Sequence, residues 1–328
     1  MKIGLYNKYR PDSINDLVGQ EIPKETIKTA IEDNKVSHAY IFTGPHGVGK
    51  TTLARILAKE VNGVEEYNGE DIIEIDAATN GGVDSVRKLT AMSAYKPVDL
   101  KYRVIIIDEV HMFSTQAWNA LLKTIEEPVP TTKFILVTTE FQKIPDTIVS
   151  RCQVVNFEPV DYADMEKLIE SISDKEGFEV EPEAKMLVHE WSGGSPRDAI
   201  KLLEQAAPSN KGKLTVDRVS KFINIPSALV AQQIVNYTYK GETRAAVVVI
   251  EKEFYSGKNA RDISQAVLFE LSKRYKKALG NREVEEHMSI LTDAFSKAYT
   301  GYINGFFNSP ILLFQAVTTA ANKINQPQ

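Results

Sequence analysis

The stretch GPHGVGKT, Gly44 to Thr51, spaces a glycine, four residues, a second glycine, a lysine and a hydroxyl. That pattern suits a loop whose backbone amides cradle phosphate oxygens. Gly44 and Gly49 let the main chain approach, Lys50 reaches the terminal phosphates, and the Thr51 hydroxyl ligates Mg2+. Pro45, His46, Gly47 and Val48 complete the loop and Thr52 follows it; His46 reads as solvent-facing filler. The apolar run AYIFTG before the loop and the amphipathic TTLARILAKEV after it place the loop between a strand and a helix. A helix N-terminus there adds positive potential.

Three further segments carry candidate chemistry. VIIIDEVH, at 104–111, is an apolar strand ending in two carboxylates. Asp108 would hold the magnesium shell and Glu109 would orient and polarise an attacking water. Alone, such a pair is an ordinary solvated strand end; downstream of a phosphate loop it becomes the second half of a nucleotide site. His111 has no converging ligand set and reads as a structural residue of the strand–helix junction. ILVTTE, at 135–140, ends a strand in two hydroxyls that could touch a γ-phosphate or the water; without the two preceding motifs they would read as β-favouring threonines at a strand end. TIVSRCQVVNF places Arg151 beside Cys152, with no Lys or Glu within four residues on either side. A helix cap or a pair with Glu158 would give that arginine a structural role.

The elements that must position these residues follow from composition and pattern. A chain of 328 residues is expected to hold two or three domains. Its 43% hydrophobic and 25% charged content are those of a soluble globular protein. One cysteine excludes an internal disulfide and a multi-thiolate zinc site, and fits a reducing compartment. The N-terminus shows no apolar core of signal-peptide length and no run approaches membrane-spanning length, so a cytoplasmic protein without a membrane partner is expected. A net charge of −5 argues against a basic nucleic-acid coat, leaving only local or shared DNA contacts.

From 40 to 158, apolar runs alternate with amphipathic stretches, the pattern of helices on a parallel sheet. AYIFTG, IIEIDA, RVIIIDE, KFILVTT and CQVVNF are the strand candidates, all read as buried. STQAWNALLKTIEEP reads as a helix stopped by Pro128. Beyond Pro159, DYADMEKLIESISDKEG, EPEAKMLVHEW, SPRDAIKLLEQAA and TVDRVSKFI read as short helices up to a break at Pro226. RDISQAVLFELSKRYKKAL is the clearest amphipath of the helical text after it. The expected division is an α/β nucleotide-binding domain at 1–159, a helical lid at 160–225 and an all-α C-terminal domain at 226–328.

The wording around these motifs narrows the family. YNKYRPDSINDLVGQE, HAYIFTGPHGVGKTTLARILAKEVN, IIEIDAATNGGVDSVRKL, VIIIDEVHMFSTQAWNALLKTIEEP, KFILVTTEFQKIPDTIVSRCQ and GGSPRDAIKLLEQA closely resemble the gamma/tau clamp-loader ATPases of bacterial DNA polymerase III, within the AAA+ class. The resemblance is dense from Tyr6 to about Ala207 and weaker beyond. It implies an AAA+ P-loop domain, a lid and a C-terminal collar for assembly. It assigns Lys50 and Thr51 to the nucleotide, Asp108 and Glu109 to magnesium and water, and Thr139 to the first sensor. Pro196 and Arg197 match the second sensor, on the lid. Tyr9, Arg10, Pro11, Val18 and Gly19 match the segment flanking adenine. Arg151 matches the arginine finger of the SRC motif, an unpaired guanidinium pointing into the ATP site of a neighbouring subunit.

Thr79, Asn80, Gly81 and Gly82 match a helix start that approaches DNA phosphates, with Arg87 on the same helix; a Gly-rich cap with a solvated arginine would look alike. The exposed AMSAYKPVDL region is a candidate neighbour of the clamp. The implied cofactors are ATP and Mg2+, and the implied partners are other loader subunits in a hetero-pentamer, a sliding clamp and primer–template DNA. The family carries a cysteine-rich zinc module after the P-loop helix. NGVEEYNGED, at 62–71, stands there instead, so no zinc is expected. The sequence ends at 328 without the long tail of tau-type subunits, so a compact form of bacterial or bacteriophage origin is expected. The expected function is an ATP-driven clamp-loading motor. Two alternatives stay open: a non-hydrolysing scaffold subunit, disfavoured by the intact motifs, and another AAA+ DNA motor such as a branch-migration helicase.

Overall fold

Five strands, β1 (Ala39–Thr43), β2 (Ile72–Asp76), β3 (Arg103–Asp108), β4 (Thr132–Thr138) and β5 (Gln153–Asn156), form one parallel sheet in the order β2-β3-β4-β1-β5. The computed structural model describes residues 4–66, 70–208, 212–223, 226, 228–305 and 309–325. The central strands β1, β3 and β4 are apolar on both faces because helices cover both. Tyr40 and Phe42 of β1 pack with Leu53 and Leu57 on one side, while Ile41 packs with Trp118 and Leu121 on the other. The outer strands depart from the expectation of full burial. In β2 only Ile72 is buried, and in β5 only Val155, because an edge strand has one neighbour and one open flank.

The helices α1 (Leu5–Lys8), α2 (Glu21–Glu32), α3 (Lys50–Asn62), α4 (Ala77–Asn80), α5 (Val83–Ser93), α6 (Thr115–Glu126) and α7 (Asp146–Val149) accompany the sheet. Ser114 caps α6 by accepting the Ala117 N–H. Then come α8 (Tyr162–Glu176), capped by Asp161, α9 (Pro182–Ser192) and α10 (Pro196–Ala206). The parallel sheet sends Thr43, Asp108 and Thr138 to the same edge, so the loops after β1, β3 and β4 share one site.

Two compact units divide the chain. One runs through Phe178 and resumes over Val188–Glu204; the other holds Glu179–Leu187 and the chain from Gln205. In the second, β6 (Glu179–Val180) pairs in parallel with β7 (Lys213–Leu214), a two-residue ladder that no sequence pattern announced. It also holds α11 (Val216–Phe222), α12 (Ala228–Tyr239), α13 (Thr243–Tyr255), α14 (Ala260–Ala278), α15 (Arg282–Ile303) and α16 (Ile311–Ile324). Ile234, Ile250, Ile263, Leu271, Leu291, Phe295 and Val317 form its core. Position 225, the expected lid boundary, and 67–69 in the zinc-module stretch lie outside the described residues. Among the described residues, no helix is long and apolar enough to cross a membrane.

Candidate functional site

The glycine loop leaves β1 and enters α3 at Lys50. Gly49 caps that helix at φ +106°. Gly47, a position the motif leaves free, stands at φ +75°, and a Cβ there would meet Ser195 Oγ at 2.1 Å. Both conditions reserve it for glycine. Lys50 Nζ donates to the carbonyls of Gly44, at 2.7 Å, and Pro45. Burial pushes its pKa down, against the pull of Glu109 and Asp108. Among the described residues this buried ammonium makes no direct ion pair and rests on two carbonyls, so an anion in the loop would stabilise it further.

Thr51 Oγ1 donates to Asp108 Oδ2 at 2.7 Å, and Asp108 Oδ1 accepts the Glu109 N–H at 2.9 Å. Glu109 itself adopts φ +50°, a left-handed conformation that a side-chain-bearing residue rarely takes. Its Oε2 accepts from Thr139 Oγ1 at 3.4 Å and lies 3.4 Å from His111 Nδ1. Its Oε1 lies 3.9 Å from His46 Nδ1. The His111 side chain is 8% exposed, 3.1 Å from Thr138 Oγ1 and 3.2 Å from Glu140 Oε1 through its other nitrogen. It is a junction residue, and it also links the Glu109 carboxylate to the segment after β4. His46 is exposed, but it stands between Glu109 and Arg197, whose Nη1 is 3.3 Å from His46 Nε2.

One cavity collects most of the expected nucleotide residues: His46, Gly47, Val48, Gly49, Lys50, Thr51 and Thr52 with Asp108 and Glu109, then Tyr9, Arg10, Pro11 and Val18, then Pro196 and Arg197. Gly19 lines the adjoining groove together with Tyr9 and Val18. Gly44 and Pro45 shape the loop through their carbonyls, and Thr139 reaches the site through Glu109. Tyr6, Asp16, Leu17, Leu168 and Ile200 also line the cavity and were missed. Leu168 and Ile200 fall on helical spacings that read as core; Tyr6 and Leu17 adjoin segments singled out for the nucleotide.

Among the described residues, no group of three or more His, Cys, Asp or Glu could hold a metal. Magnesium in a phosphate site needs less, because water and phosphate oxygens supply most of its ligands. Thr51 Oγ1 and Asp108 Oδ2, hard oxygen donors already in contact beside the loop, fit that requirement.

Arg151 stands apart from this cavity and corrects an expectation. It is not unpaired: Nη2 lies 2.7 Å from Glu126 Oε1, and Nη1 donates to the Thr147 carbonyl at 2.7 Å and to Ser150 Oγ at 3.0 Å. Its partner is Glu126, at the end of α6, and not Glu158. Cys152 beside it is half-buried, and burial pushes its thiol up to about 12.

The expected DNA segment also differs in detail. Thr79 and Asn80 belong to the one-turn helix α4, where Thr79 Oγ1 and Asn80 Nδ2 both bond back to the Asp76 carbonyl. Gly81 and the extended Gly82 separate the two helices, and a Cβ at Gly81 would meet the Ala77 carbonyl oxygen at 2.3 Å. Gly82 alone caps α5, on which Arg87 is exposed, 3.5 Å from Asp84. Downstream, Met92, Tyr95 and Val98 are exposed apolar side chains. The N–H groups of Val98, Asp99 and Leu100 all donate to the buried Asp71 carboxylate, which Arg103 pairs at 2.9 Å.

A family model described as DNA polymerase III, delta subunit, matches residues 19–161. The DNA polymerase III subunit tau of Bacillus subtilis is 35% identical over 305 residues, covering 87% of this chain and 54% of that protein. The DNA polymerase III subunit gamma of Buchnera aphidicola is 38% identical over 238 residues, covering 67% of this chain and 64% of its own. The chain therefore spans 54% and 64% of the length of these two relatives. Among solved structures, the Thermotoga maritima RuvB Holliday junction branch migration motor superposes with a TM-score of 0.54 at 21% identity, over 70% of this chain and 78% of that one. At that identity the likeness concerns the fold alone.

Proposed function

Because the chain belongs to the family of DNA polymerase III gamma/tau subunits, on an AAA+ fold, we propose that it is an ATP-driven motor subunit that opens a sliding clamp and loads it on primer–template DNA. The observation that carries this reading is the completeness of the hydrolytic set. Lys50, Thr51, Asp108, Glu109 and Arg197 line one cavity, and Thr139 bonds Glu109. A non-hydrolysing scaffold has no use for Glu109 and Thr139 in that relation.

In this reading Lys50 exchanges two loop carbonyls for phosphate oxygens. Mg2+ bound with ATP would neutralise phosphate charge, held by Thr51 and Asp108. Glu109 orients the attacking water and takes up its proton, with Thr139 fixing its carboxylate. Arg197 approaches the phosphates from the same subunit, while Arg151 leaves Glu126 to serve a neighbouring subunit's site. Tyr9, Arg10, Pro11, Val18 and Gly19 surround the base. Thr79, Asn80, Gly81, Gly82 and Arg87 face DNA phosphates, and the Met92–Val98 surface faces the clamp. Residues 160–225 act as the lid and 226–328 as the collar that joins the other loader subunits.

The test is hydrolysis by the assembled loader with and without primed DNA and clamp, read together with clamp retention on circular primed DNA. Turnover should be slow alone and rise when both are present, and clamp should remain on the circle only after ATP is supplied. Loading that proceeds without ATP, or a chain that neither binds nor hydrolyses it, contradicts the proposal.

A further inference from the structure

Tyr6 lies outside the nucleotide motifs, yet its ring serves two guanidinium groups. The central carbons of Arg10 and Arg197 each lie 4.9 Å from the ring centroid, and Arg10 Nη2 donates to the Tyr6 hydroxyl at 2.5 Å. All three residues line the cavity that contains the glycine loop and Lys50. The Nε atoms of both arginines are buried and, among the described residues, have no hydrogen-bond partner.

Two guanidinium groups on one ring, with an ammonium in the same cavity, repel one another; Asp16, Asp108 and Glu109 also line it, but among the described residues none forms an ion pair with either arginine. Each also holds a buried donor without an acceptor, which costs free energy in an empty site. The negative face of an aromatic ring offsets part of that cost and fixes where the cations stand. What remains unsatisfied is what an anion with several charged oxygens would supply.

The position of Tyr6 is set by ties on both sides of it. The Leu5 N–H donates to Glu204 Oε2 at 3.1 Å, and Lys8 Nζ and Tyr9 Oη both reach Glu176 Oε1 at 2.6 Å. We infer that Tyr6 is a positioning residue of the nucleotide site: it holds Arg10 and Arg197 as a paired cation that receives the phosphates of a nucleoside triphosphate. Arg10 then acts on phosphate as well as flanking the base. The first helical turn becomes part of the site, because its docking aims both arginines. This inference rests on the nucleotide reading of the cavity.

The experiment is titration with ATP and Mg2+ of the wild-type chain, Tyr6→Ala, Tyr6→Phe, Arg10→Ala/Arg197→Ala, and that double variant carrying Tyr6→Ala. Loss of the ring should weaken ATP binding about tenfold, while Tyr6→Phe, which keeps it, should stay within about threefold of wild type. In the background lacking both arginines, Tyr6→Ala should change affinity by less than about twofold, since the coupling has been removed. Wild-type affinity in Tyr6→Ala, or an undiminished loss in the double-arginine background, overturns the positioning role. A wild-type chain that does not bind ATP overturns the nucleotide reading itself, a separate outcome.

Discussion

Arg151 rests against Glu126, Nη2 to Oε1 at 2.7 Å, across the gap between the end of α6 and the turn after α7. Both side chains are more than one-third exposed, so the pair is worth about 0–1 kcal/mol and is easily exchanged for a stronger partner. A phosphoryl group in transfer would be such a partner. Arg151→Ala should leave ATP affinity unchanged and lower turnover of the assembled loader by about three to five orders of magnitude, the range seen for fingers supplied in trans. Glu126→Gln, which only frees the arginine, should keep turnover within about threefold of wild type. Equilibrium binding and steady-state hydrolysis on both variants check this pair of outcomes.

Lys50→Ala should abolish nucleotide binding. The loop then loses a buried cation that already sits on the carbonyls of Gly44 and Pro45. Calorimetric titration with ATP reads the result, and wild-type affinity in the variant would remove the loop from the site.

Glu109→Gln should bind ATP normally and stall, with turnover lower by about two to four orders of magnitude, the usual share of a general base. Asp108 and Thr51 keep their contact in this variant, so binding and catalysis separate. Normal turnover would take Glu109 out of the mechanism.

Asp71 anchors the exposed Tyr95–Val98 surface. Burial pushes its carboxyl up, but the N–H groups of Asp99, Val98 and Leu100 and the Arg103 guanidinium outweigh this and hold it at about 2, below the ordinary 3.8. Because folding lowers this pKa, the carboxylate stabilises the fold in full above the ordinary value and loses that contribution as pH falls towards 2. The shift is worth about 2 kcal/mol, and deleting one partner of such a buried pair costs about 3–5 kcal/mol. Asp71→Ala should therefore be strongly destabilised at pH 7 and lose part of the wild-type acid sensitivity, as measured by urea unfolding across the acid range. A cost under about 1 kcal/mol at pH 7 would contradict the anchoring role.

The central strands and the glycine loop were legible because their signals are local: unbroken apolar runs, and a motif contained within eight residues. Edge exposure was legible only in part: Glu74, Asp76, Gln153 and Asn156 are the exposed positions of β2 and β5, whereas the partial exposure of Ile73, Ile75 and Val154 depends on the neighbour an edge strand lacks. The partner of Arg151 was missed because Glu126 meets it in space, on another helix. The same holds for one of the two cations on Tyr6: Arg10 is a near neighbour in sequence, but Arg197 comes from a remote helix. Thr79 and Asn80 read as the start of one helix, but the backbone turns extended at Gly82 (φ −72°, ψ 150°) and the chain breaks into two. Pattern reveals periodicity; it does not reveal which distant group fills a contact.

The central claim is an ATPase whose sites are completed between neighbouring subunits, and mixing variants tests it most directly. Arg151→Ala subunits retain Lys50 and lack the proposed finger, whereas Lys50→Ala subunits retain Arg151 and lack the phosphate-reaching lysine. Each is expected to be inactive alone. In assemblies shown to contain both, an intact loop can meet an intact Arg151 only across unlike chains, and DNA-stimulated hydrolysis should partly return. If the mixed assemblies form and hydrolyse no faster than either variant alone, Arg151 acts within its own subunit or only pairs with Glu126, and the shared-site account is wrong.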